Sequence, residues 1–179
     1  MSGRRDYDIT FVGLNPGSTE FDFELGTTFF EQDKTTYFND IQAKVNLKLE
    51  KNSGFMQLKF EVGGIADILC NRCGNPLKID LWDDFEMLVK LVDNPDEMNE
   101  NNEDPDVFFI SRTESHLNVK DWLFEFTILS IPQYPVCGED EEGNSKCNQE
   151  VIQMLEKLTE NEEKDTTTIW KGLDKFKDN

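Results

Sequence analysis

This chain of 179 residues is poor in several things. It has one histidine, His116, so any histidine-dependent triad or histidine-rich metal site would have to be built on that residue. His116 lies near a strand-to-helix join with no neighbouring serine or cysteine nucleophile signature, which makes an ordinary surface histidine the simpler reading. Cations are scarce: 18 Lys and Arg face 37 Asp and Glu, a formal charge of −19. Such a surface repels phosphate at long range and argues against a broad nucleic-acid groove, while it suits basic protein partners. Plain solubility is the competing explanation of the same charge. No apolar run approaches the ~18–20 residues of a membrane-spanning helix, and Arg4 and Arg5 are followed by Asp6 and Asp8 rather than a signal-like apolar segment. A soluble, cytoplasmic monomer is expected. The glycines do not fall in a phosphate-loop layout, and no internal repeat is present. Paired carboxylates are too common in so acidic a chain to mark an acid–base catalyst.

There are only four cysteines, and they are informative. Cys70-Asn71-Arg72-Cys73 is followed by Gly74, the form of a metal knuckle, in which a tight turn brings two thiolates to one point and glycine lets the backbone bend around them. Cys137 and Cys147 are more widely spaced than the second pair of a zinc ribbon. The favoured reading is a closed four-thiolate zinc site of Cys70, Cys73, Cys137 and Cys147. Such a site has no open coordination position and is structural rather than catalytic. Unligated thiols and disulfides are the alternatives. The latter are disfavoured in a reducing compartment.

Strand periodicity dominates residues 8–92. Ile41, Ala43, Val45, Leu47 and Leu49 alternate with polar residues, as do Met56, Leu58, Phe60 and Val62, with Asn52-Ser53-Gly54 between them. This reads as an amphipathic hairpin. Gly63-Gly64 suggests a bulge or a close backbone approach. Leu77, Ile79, Leu81, Phe85, Met87, Val89 and Leu91 continue the alternation beyond the knuckle. Residues 93–106 carry seven acids and two prolines with few apolar groups and read as a mobile loop. Helices are expected at 119–131, with Trp122, Phe126 and Leu129 on the buried face and Asn118 as a cap, and at 149–158. The fold class is α+β, a mainly antiparallel β-sheet followed by two short helices. The expected organisation is one globular domain over 1–158 and a polar tail over 159–179, with Trp170, Leu173 and Phe176 as a short docking segment.

The order of these features resembles the YceD family of bacterial and plastid proteins, called large ribosomal RNA subunit accumulation proteins. The residues that carry the resemblance are Leu14-Asn15-Pro16-Gly17 with Phe21-Asp22-Phe23, and Val62-Gly63-Gly64. They continue with Cys70-Asn71-Arg72-Cys73, Pro76-Leu77, Ile131-Pro132, Cys137, Gly143 and Cys147-Asn148. Trp170-Lys171-Gly172-Leu173 is similar to the form found in Bacteroidetes-type bacteria. The resemblance implies a role in large-subunit rRNA accumulation and ribosome assembly, without an established enzyme activity. The partner would be a pre-ribosomal particle or a basic ribosomal protein, with the acidic segments 93–106 and 139–142 as candidate contacts. Direct rRNA contact would need a local patch, for which Arg72 with Arg4, Arg5 or Arg112 is the candidate. A zinc-stabilised interaction module unrelated to ribosomes, or a thiol redox protein or nuclease using Cys70 and Cys73, are the competing functions.

Overall fold

The computed structural model describes residues 6–31 and 38–169, with side chains as far as Thr159. Arg4, Arg5 and the aromatic segment at Trp170, Leu173 and Phe176 lie outside the described residues. The chain forms two compact units: Met1–Ile68 with Lys78–Pro132, and Leu69–Leu77 with Gln133–Asn179.

The larger unit is built on a five-stranded sheet in the order β2 (Gly17–Gly26), β3 (Phe38–Lys51), β4 (Phe55–Leu69), β5 (Pro76–Val92) and β6 (Val107–Ser111). The α+β class expected from the sequence is the one observed. Period-two alternation sets the register. Ile41, Ala43, Val45, Leu47 and Leu49 of β3 are all buried, and so are Met56, Leu58, Phe60 and Val62 of β4. Their neighbours in between face outward, so one face of the hairpin is apolar and the other wet. The turn at Asn52-Ser53-Gly54 closes with Asn52 N–H donating to Phe55 O at 3.0 Å, and Gly54 takes a φ of 100°. At Gly64 the close approach is real. A Cβ there would stand 2.2 Å from Gln42 O, in a backbone conformation with φ of 145°.

A short two-stranded sheet pairs β1 (Asp8–Thr10) with β7 (His116–Asn118). Between β2 and β3, α1 (Thr27–Phe30) turns Phe30 fully inward. Lys51 Nζ donates to the carbonyls of Phe11 and Leu14, both at 2.9 Å, and so holds the turn after β1.

Two expectations change. Residues 93–106 are not featureless. They contain α2 (Pro95–Glu100) and connect β5 to β6, which pair parallel from Leu88↔Val107 to Val92↔Ser111. Parallel neighbours need a crossover of about a dozen residues or more, and this acidic segment supplies it. Asn99 pins the crossover: its Nδ2 donates to Phe109 O at 2.8 Å and its Oδ1 accepts from Phe109 N at 2.9 Å.

The second change concerns α3 (Lys120–Leu129). Its buried face is Leu123, Phe126 and Thr127, whereas Leu129 is 57% exposed. Thr127 and the following Ser130 can be buried because their hydroxyls donate to Leu123 O at 2.7 Å and Phe126 O at 2.8 Å. Phe126 stacks on Phe85 with centroids 4.5 Å apart and meets Phe60 edge-on, which seats the helix on the sheet. Asn118 accepts from Lys120 N with its side chain at 3.1 Å but stands one residue before the helix cap, Val119.

In the smaller unit the main element is α4 (Gln149–Ile169), which runs well beyond the expected end at 158. Asn148 caps it: its Oδ1 accepts from Glu150 N at 3.0 Å and its backbone O from Ile152 N at 3.1 Å.

Candidate metal centre

The knuckle lies between the end of β4 and the start of β5. Cys70 N donates to Asn75 O, and Gly74 N to Cys70 O, each at 2.8 Å. Gly74 has a φ of 73°, the left-handed region that an L side chain resists. These bonds turn the chain within six residues and aim Cys70 and Cys73 at one point.

The second pair reaches that point by a different device. Residues 138–146 fold back as a small hairpin. Lys146 N donates to Gly138 O at 3.0 Å, and Glu139 bridges Ser145 antiparallel. The turn is made by Asp140, whose carboxylate accepts from Asn144 N at 2.8 Å and Glu142 N at 3.0 Å, with Gly143 at a φ of 83°. The Asn144 N–H above all holds the Asp140 carboxyl below its ordinary range. The nine-residue spacing that looks too wide in the sequence is thus spent on a loop whose ends meet. Asn71 ties knuckle to loop: its N–H donates to Pro135 O at 2.8 Å and its side-chain amide to Gln133 O at 3.3 Å.

The four sulfurs converge. All lie within 4.8 Å of one another, with Cys70–Cys147 and Cys73–Cys137 each at 3.8 Å. All four are free thiols, and 3.8 Å is far outside a disulfide bond of about 2.05 Å. Four thiolates about 2.3 Å from a tetrahedral zinc would stand about 3.8 Å apart. The residues present therefore fit a zinc ion in donor type, number and spacing. Cys70, Cys73 and Cys147 are buried, and Cys137, Val151 and Ile152 pack against them. The roles of Val151 and Ile152 were not readable from the sequence beyond the amphipathic spacing of their helix.

The electrostatics favour a first thiolate at Cys70. Burial opposes its ionisation. The N–H groups of Cys73, Cys137 and Arg72 and the Cys73 thiol outweigh that burial and lower it to about 6. The Cys137 N–H is 3.3 Å from the Cys70 sulfur. The Cys137 thiol itself is pushed up to about 12, first by its hydrogen bond to Cys70 and then by burial. Three donors aimed at one sulfur, with a proton held on its neighbour, are what a knuckle offers to a cation.

The other sequence candidates are more ordinary. His116 is exposed on β7, with Nδ1 2.7 Å from Ser115 Oγ. Arg72 is exposed on the knuckle, and Arg112 Nε pairs with Asp93 at 3.3 Å. Among the described residues no helix is long and apolar enough to cross a membrane.

Comparison with known proteins returns one finding. The family model described as Large ribosomal RNA subunit accumulation protein YceD matches residues 58–177. No curated protein and no solved structure matches the chain. The matched stretch covers more than half of the sequence and contains all four cysteines, and on that evidence the chain belongs to the YceD family.

Proposed function

We propose that this chain is a non-enzymatic factor in large-subunit rRNA accumulation and ribosome assembly. It would act in the cytoplasm by binding a basic ribosomal protein or a pre-ribosomal particle. Membership of a family described by large ribosomal RNA subunit accumulation carries the reading. The charge of −19 supports the choice of partner: it disfavours a clamp on phosphate and favours a cationic protein.

In the same reading Cys70, Cys73, Cys137 and Cys147 hold one structural zinc ion. Bound zinc would supply a closed cross-link between the knuckle and the hairpin loop. The protein's own part is the geometry that keeps four sulfurs together and the N–H donors that stabilise the first thiolate.

The test is depletion and tracking in cells. Depletion should lower mature large-subunit rRNA relative to small-subunit rRNA, and the tagged protein should co-sediment with large-subunit precursors. Unchanged rRNA ratios together with a protein found only at the top of the gradient would refute the assembly role. A normal assembly phenotype from a zinc-free variant that still folds would refute the need for the metal.

A further inference from the structure

The helix that leaves the cysteine cluster carries an apolar stripe that is exposed beyond its first turn. Val151 and Ile152 at its start pack against the cysteines. One turn on, the same stripe continues as Met154, Leu155 and Leu158, at 66%, 42% and 54% exposure. Positions 151, 154, 155 and 158 follow the i, i+3, i+4, i+7 spacing of one helical face. A solvent-facing helix with no task would carry polar residues there.

We propose that this bare stripe of α4 is the seat of a basic, amphipathic segment of a partner protein. The proposal rests on the assembly reading above and names the surface that would serve it. Three observations select the occupant. The apolar side chains call for apolar anchors. The charge along the helix is acidic in balance: Glu150 and Glu156 are exposed on it beside one Lys157, and it continues in sequence with Glu160, Glu162, Glu163 and Asp165 against Lys164. An occupant with lysines or arginines beside its apolar residues complements both. A second copy of a chain with charge −19 would bring like charge to like, and anionic lipid or RNA would be repelled in the same way.

The helix is also held for the task. The Asn148 cap, the Gln149 side-chain amide donating to Ser145 O at 3.1 Å, and the packing of Val151 and Ile152 on the sulfurs fix its first turn. A pre-ordered helix loses less freedom when it binds.

The experiment uses the full, zinc-loaded chain and a fluorescein-labelled amphipathic peptide of leucine and lysine, read by anisotropy. Two control peptides share its pattern, one with glutamate for lysine and one with serine for leucine. Saturable one-to-one binding of the Leu/Lys peptide, weakening with salt, is expected. The double variant Leu155→Ser/Leu158→Ser should bind about tenfold more weakly or worse, since the two lost apolar contacts together are worth at least about a tenfold change. Its circular dichroism and zinc content should match the parent. If it fails to fold, Met154→Ser, at the most exposed position of the stripe, takes its place, with a weakening of several fold expected.

Equal binding by parent and variant, or equal binding of the serine control, overturns the proposal. So does a dimer in sedimentation that the double variant dissolves, which makes a second copy the occupant. Peptide binding that appears only after removal of residues 170–179 makes the chain's own tail the occupant. In cells, co-sedimentation with large-subunit precursors should be lost in the double variant. If it persists there, the surface assignment falls and the assembly reading stands. If the parent itself does not co-sediment, the assembly reading falls.

Discussion

Cys70 and Cys147 bring their sulfurs to 3.8 Å across 77 positions of sequence, and Cys73 and Cys137 do the same across 64. Each knuckle cysteine thus meets a cysteine of the hairpin loop. A metal held by one C-x-x-C alone would fix a single turn. Held by both pairs, it closes a long loop of chain, which restricts the unfolded state far more.

Zinc content and stability should therefore move together. Protein purified without a histidine tag under reducing conditions should contain about one zinc per chain, as a closed structural site is nearly full. Cys73→Ser and Cys147→Ser should each lower that content sharply and destabilise the smaller unit by about 3 kcal/mol or more. Arg72→Ala, on the exposed side of the same knuckle, should change neither. Elemental analysis and thermal melts of the three variants check this. A zinc content below about 0.2 per chain in the parent would remove the metal.

The metal-free protein should show an unusual thiol titration. Cys70 is lowered to about 6, so its thiolate contributes stability that is present above the ordinary thiol range and is lost as pH falls through about 6. Cys137 is raised to about 12, so its contribution is present below the ordinary range and is lost as pH rises through about 12. Between those limits one thiolate and one thiol coexist in the cluster. Alkylation with mass-spectrometric site assignment, after chelation, should find Cys70 ionised at neutral pH and Cys137 protonated. Its accessibility is set by the same chelated state, so thiolate absorbance against pH is the companion measurement. A single titration near the ordinary thiol value would show that the N–H groups do not act as described.

How much of this was legible depended on which force makes each element. The β3–β4 hairpin was readable because a one-sided sheet writes period two into its sequence, and Leu47 and Phe60 fall where that period puts them. The convergence at the cysteines was half readable. The knuckle announces itself through Gly74, but Cys137 and Cys147 meet because Asp140 caps a turn, and in a run of four acids that one carboxylate looks like any other. The face of α3 was legible at Phe126 and in part at Trp122 but not at Leu129, because Thr127 and Ser130 bury hydroxyls on their own helix, which no hydrophobic pattern records. The crossover at α2 left no apolar signal, since the amide side chains of Asn99 and Asn102 hold it.

Gly64 should be intolerant of any side chain. A Cβ would meet Gln42 O at 2.2 Å and Ala43 Cα at 2.8 Å, both backbone atoms of the neighbouring strand β3, and the φ of 145° is itself unfavourable for an L residue. Gly64→Ala is expected to cost about 3 kcal/mol or more, combining steric overlap with backbone strain. Gly63 has only Leu81 O at 4.0 Å near its would-be Cβ, so Gly63→Ala should cost about 1 kcal/mol or less. Urea unfolding of the two variants gives the comparison, and equal losses would show that the strands part easily at this point.

Asn99 should matter more than its acidic, solvent-facing surroundings suggest. Its amide both donates to and accepts from the backbone of Phe109, and Asn102 Nδ2 donates to Val107 O, which completes the lacing of the crossover to β6. β6 is the last strand of the sheet, so on its open side these side chains stand in for a neighbouring strand. Asn99→Ala removes two hydrogen bonds and leaves the Phe109 N–H and C=O to find water, at a cost of about 1–3 kcal/mol. Asn99→Asp keeps the acceptor and loses the donor, and should fall between parent and alanine. Shortening the crossover between Asp93 and Asp106 would cost well under about 1 kcal/mol if loop closure alone were at stake. Loss of the Asn99 contacts predicts a larger penalty, and amide exchange at Phe109 should quicken in step with it. An Asn99→Ala protein as stable as the parent, with Phe109 still protected, would return residues 93–106 to the status of a passive linker.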